Sequence, residues 1–104
     1  MKISDVEERE LIPGTRVRFI HSDRMTIAHW YFDPGIDLPE HSHPHEQICN
    51  VMEGEFELTV DGVPEVMTAG HCRVIPPDVV HSGRSITASK IIDVFSPVRD
   101  DYRS

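Results

Sequence analysis

The stretch Gly35–Gly54, GIDLPEHSHPHEQICNVMEG, crowds three histidines, a glutamate and a glutamine into His41–Gln47. His41 and His43 are two apart, so on an extended backbone both rings leave the same face. Pro44 removes a ladder donor and bends the chain, so His45 need not follow them although its parity matches. A further imidazole, His81, lies in IPPDVVHS, residues 75–82. Two same-face imidazoles, an oxygen donor past a bend and a distant imidazole returned by the fold make a pocket for a divalent metal.

Outward from that stretch the chain reads as short strands separated by Gly, Pro and Asp turns. Gln47–Glu53 is a strand with Ile48 and Val51 as its apolar anchors. Glu55–Val60 (EFELTV) is the cleanest period-two segment, with Phe56, Leu58 and Val60 facing in. Asp61-Gly62 is a hairpin turn by composition, and Val63–Met67 returns from it. Upstream, Arg16–His21 and Met25–Phe32 alternate or are rich in β-formers, and Asp33-Pro34-Gly35 turns the chain into a short extended piece, Ile36–His43. Trp30 and Phe32 first serve sheet packing, and line the pocket if their strand points them inward. Downstream, Arg73–Ile75 is a brief strand stopped by Pro76-Pro77-Asp78, and Val79–Ser82 carries His81. After Gly83 a long strand is predicted over Ile86–Phe95, ended by Ser96-Pro97. Residues 1–14 read as a leading arm or short edge strand. No segment shows helical apolar spacing, and the pattern predicts an all-β sandwich or barrel.

With 104 residues, the chain is sized for one domain spanning residues 1–104. Ten basic residues against eighteen acidic ones give a net charge of −8, which disfavours binding to nucleic acid or an anionic membrane surface. If the ligand is an anion, its positive partner must be a metal or a few placed arginines. No apolar run is long enough to span a bilayer, and the acidic N-terminus lacks the order of a signal peptide. Cys49 and Cys72 show no CxxC spacing, and two reduced cysteines in a cytoplasmic protein are expected.

The spacing Gly35-x5-His41-x-His43-x3-Gln47-x6-Gly54 resembles the first cupin motif, with Gln47 where most cupins carry Glu. Gly70-x5-Pro76-x-Asp78-x2-His81-x3-Ser85 resembles the second, with Asp78 at the usual Gly and Ser85 at the usual Asn. The resemblance implies a cupin, RmlC-like jelly-roll β-barrel. A barrel this small closes its edges or pairs them, and the family's habit is a homodimer. HSHPHEQ together with DVFSPVRDDY, residues 93–102, is similar to the KdgF-type cupins of pectin and alginate breakdown. Those proteins open 4,5-unsaturated uronate monosaccharides, small anionic sugars, to linear keto-uronates.

That likeness implies one divalent transition metal (nickel, zinc, manganese or iron) held by His41, His43, Gln47 and His81. Asp93, Phe95 and Arg99 are implied to work beside it. Gln47 has two readings, direct ligation or a hydrogen bond to a ligating histidine, and His45 is the rival ligand. An uncharged amide in place of glutamate leaves the full dication to face an anionic substrate. Ile91, Asp93 and Phe95 share parity, so the Asp93 carboxylate is expected in apolar surroundings that raise its pKa and fit it for acid–base work. The alternative for Asp93 is a solvent-facing strand carboxylate. Arg99 is suited to pair bidentately with a uronate carboxylate. Two other functions compete: a metal-dependent cupin dioxygenase and a non-catalytic sugar-binding or sensory cupin.

Overall fold

The computed structural model describes residues 1–103. Among them nine strands run in order: β1 (Thr15–His21), β2 (Thr26–Phe32), β3 (Asp37–His41), β4 (Glu46–Glu53), β5 (Phe56–Val60), β6 (Val63–Met67), β7 (Cys72–Ile75), β8 (His81–Ser85) and β9 (Ser89–Ser96). They form a five-stranded sheet, β1-β2-β9-β4-β7, and a four-stranded sheet, β3-β8-β5-β6. Every pairing is antiparallel. The all-β single domain expected from the alternation is therefore the fold observed.

Alternation explains the core. Val17, Trp30, Phe32, Val51, Phe56, Leu58 and Ile91 are buried between the sheets. Phe32 joins their inner faces, with its ring centroid 5.5 Å from Trp30 and 5.2 Å from Phe56. Burying rings of this size dominates the core's stabilisation. The β5–β6 hairpin turns at Asp61 and Gly62, both with positive φ (50° and 76°), matching the right-handed twist of the flanking strands.

Three expectations need correction. Ile48 is not a core anchor: it is 38% exposed, whereas Gln47, Cys49 and Val51 are buried. Positions 48 and 51 are three apart and cannot share a strand face. Gly83 does not break the chain but sits mid-strand in β8, opposite Leu58 and Leu38. A Cβ there would fall 2.6 Å from two carbons of the Phe56 ring, so close packing and not a turn demands the glycine. The last strand consequently begins at Ser89, and Ile86–Ala88 form the crossing from one sheet to the other.

Both departures in the second motif have local causes. Asp78 takes the left-handed φ of 64° that the usual glycine would supply, a conformation Asp tolerates better than most residues. Ser85 is fully buried, donates its hydroxyl to the Asp33 carbonyl at 2.6 Å and accepts the Ile36 amide at 2.9 Å. It thereby ties the turn before β3 to the end of β8. The leading segment has a 3-10 turn, Ile3–Asp5, and a single bridge from Arg9 to Val17. No helix among the described residues is long and apolar enough to cross a membrane.

Candidate metal centre and pocket

His41, the last residue of β3, is the cross-strand partner of His81, the first of β8, with ring centroids 4.1 Å apart. His43, in the bend between β3 and β4, brings its ring to 4.9 Å from His81 and 6.0 Å from His41. One ring nitrogen from each lies within 4.8 Å of the other two, a group that could hold a metal ion. His45 lies outside this group, with its ring T-shaped to His43 at 5.5 Å.

The hydrogen-bond network assigns the tautomers. The Nδ1 atoms of His41, His43 and His81 lie 2.8, 2.9 and 2.9 Å from the carbonyls of Pro39, His45 and Val79. A carbonyl only accepts, so each Nδ1 carries the proton and donates it, leaving a lone pair on each Nε2. His81 Nε2 is buried with no partner. Burial pushes the His81 pKa down to about 4 and lowers that of His43, whose neighbour Arg99 lowers it further. Both buried rings are thus neutral and free to donate lone pairs near neutral pH.

Gln47, buried and inward on β4, sits between His43 and Asp93. Gln47 Oε1 lies 3.1 Å from His43 Nε2. Two acceptors then face each other across a gap that fits two donors to one first-row ion at about 2.1 Å each. The orphaned His81 nitrogen and this acceptor pair are the observations by which the residues fit a divalent cation.

Asp93 on β9 is buried, and its Oδ1 has no partner. Burial raises its pKa to about 6, opposed by hydrogen bonds from Gln47 and Cys49 and by the charge of Arg99. The Cys49 thiol, cross-strand neighbour of Asp93, is held protonated by burial and by that carboxylate. Phe95 is edge-on to His43 at 5.7 Å and carries the Arg99 guanidinium on its face at 4.7 Å. These side chains, with Trp30, Phe32 and Ile91 as apolar walls, line a cavity of about 250 Å³.

Arg99 is held by a residue of its own segment. Its Nε and one Nη donate to Asp101 at 3.0 and 2.8 Å. Asp101 and Tyr102 were missed by sequence reasoning, although both stand in the DDY that follows Arg99. Cys49 was missed too, although its parity with Gln47 marks it as inward-facing.

The cupin domain family matches residues 28–95. A pectin degradation protein, KdgF of Dickeya dadantii, is 30% identical over 96 residues, covering 89% of this chain and 87% of that protein. The crystal structure of an RmlC-like cupin from Shewanella frigidimarina has a TM-score of 0.91 and 34% identity, covering 95% of this chain and 90% of the other. The structure of KdgF from Halomonas sp. has a TM-score of 0.89 and 29% identity, covering 94% and 92%. The chain therefore belongs to the cupin family, as a small single-domain member homologous to the pectin degradation protein KdgF.

Proposed function

We propose that this protein opens 4,5-unsaturated uronate monosaccharides, derived from pectin or alginate, to linear 4-deoxy-5-keto-uronates. One observation carries the reading: a buried carboxyl, Asp93, with one oxygen unpartnered, lines a cavity that also receives three histidines and an arginine. The homology to KdgF supports it. His41, His43, Gln47 and His81 would hold the divalent ion. When bound, it supplies positive charge to the sugar oxygen that becomes anionic as the ring opens.

The rest of the chemistry belongs to side chains. Asp93 takes the proton of the anomeric hydroxyl; the C1–O5 bond breaks, C1 becomes an aldehyde, and the electron pair leaves as an enolate over O5, C5 and C4. Asp93 then returns its proton to C4, and the C5 ketone forms with no atom gained or lost. A carboxyl with a pKa of about 6 both accepts and donates near neutral pH. Arg99 meets the C5 carboxylate, while Phe95 and Trp30 present aromatic walls to the apolar side of the ring.

The test is to mix the metal-loaded protein with 4,5-unsaturated galacturonate or guluronate and follow the ring double-bond absorbance. Rapid loss without oxygen uptake is expected. Oxygen uptake would replace the reading with a dioxygenase, and tight binding without absorbance loss would replace it with a sugar-binding cupin.

A further inference from the structure

The Arg99 side chain is pinned at three points. Its backbone N–H donates to the buried Thr26 hydroxyl at 2.9 Å, fixing the root of the side chain. Phe95 and Tyr102 lie against the guanidinium, with centroids 4.7 and 4.1 Å from its carbon, and so fix its plane. Asp101 grips Nε and one Nη, which fixes rotation within that plane. Tyr102 is itself anchored, stacked on Phe19 at 4.5 Å and with its carbonyl accepting Arg9 Nη1 at 2.7 Å.

A guanidinium has two forked edges. Asp101 occupies the side edge. The end edge, Nη1 with the second hydrogen of Nη2, has no hydrogen-bond partner among the described residues, and Arg99 lines the cavity. We infer that Asp101 is a positioning residue that aims this end edge into the cavity, so that the cavity selects sugars bearing a carboxylate over neutral ones. This rests on reading the cavity as a uronate site, but not on the ring-opening step.

Charge counting alone would make Asp101 an obstacle to an anionic ligand. Exposure decides the matter: the Asp101 side chain is 54% exposed and screened by water, while that of Arg99 is 7% exposed. Losing the aim of a buried donor therefore outweighs removing a solvated negative charge.

The experiment is calorimetric titration of the metal-loaded protein with galacturonate, a saturated uronate, and with galactose, its neutral counterpart. The wild-type protein should prefer galacturonate. Asp101→Asn should reduce that preference about tenfold, the equivalent of one charge-assisted hydrogen bond, with galactose affinity unchanged. Asp101→Glu should restore most of it. An exposed residue in the last turn leaves folding intact, which circular dichroism checks. The inference is overturned if the wild-type protein shows no preference, or if Asp101→Asn binds galacturonate equally or more tightly. A parallel loss of both sugars in Asp101→Asn also overturns it, as a merely structural effect. Absent turnover of the unsaturated sugar, with the preference and its loss as stated, removes the ring-opening reading and leaves this inference standing.

Discussion

His41 and His81 face each other across β3 and β8 with ring centroids 4.1 Å apart, each ring oriented by a backbone carbonyl two residues before it. Two imidazoles held this close, each with its Nδ1 engaged by a carbonyl, present both Nε2 atoms to a shared cation.

Removing one ring should therefore empty the site. His81→Ala is expected to bring the bound divalent metal, measured by elemental analysis after dialysis, from about one ion per chain to a small fraction. Metal added to the chelator-treated wild-type protein should raise its thermal midpoint, by an amount equivalent to about 2.7 kcal/mol at a hundredfold excess over Kd. The variant should show no such rise, and full metal content in it would remove His81 from the ligand set.

Asp93→Asn keeps the shape of the side chain and abolishes its acid–base capacity. Metal content should stay at the wild-type level while turnover of the unsaturated uronate falls about 10²- to 10⁴-fold. Turnover within a few fold of wild type would assign the proton transfers to another group.

Asp93 and His81 make opposite contributions to the pH dependence of the metal-free protein. The Asp93 pKa is raised from 3.8 to about 6 on folding, so its stabilising contribution is present at low pH and is lost as pH rises through about 6. The His81 pKa is lowered from 6.5 to about 4, so its contribution is present above 6.5 and is lost as pH falls through about 4. Each amounts to about 3 kcal/mol, and over the same window they nearly offset. Asp93→Asn removes one side of this balance. Urea midpoints of the chelated variant should rise more steeply between pH 4 and 6.5 than those of the chelated wild-type protein; parallel curves would refute the assignment.

Gly83→Ala tests the close approach of β8 to the core. A methyl group 2.6 Å from the Phe56 ring forces that ring or the strand to move. We expect a loss of about 1–3 kcal/mol in urea denaturation. Combining it with Phe56→Leu should recover part of the loss, since the smaller side chain vacates the space; an additive double variant would contradict the clash.

Much of this architecture is legible in the sequence. The strict alternation of Phe56, Leu58 and Val60 predicts β5 because period two leaves one solution for burying all three. The paired spacing around His41, His43 and His81 likewise marks the converging histidines. What stayed hidden depends on contacts distant in sequence. Gly83 reads as a punctuation mark until Phe56 is seen above it. Ile48 reads as core because its hydrophobicity draws the eye from the parity that sets Gln47, Cys49 and Val51 on the other face. The clamp on Arg99 was invisible because a carboxylate two residues away shows no sign of folding back on its own neighbour.

The polar groups around the cavity come from both sheets. His41 and His81 belong to the four-stranded sheet, Gln47 and Asp93 to the five-stranded one, and His43 to the bend joining them. A cation held by the three histidines and Gln47 would also be a cross-link, riveting the two layers together. Its departure would be felt as looser breathing of the rim, with amide hydrogen exchange quickening along β3 and β8 while the hairpin at Asp61-Gly62 keeps its pace.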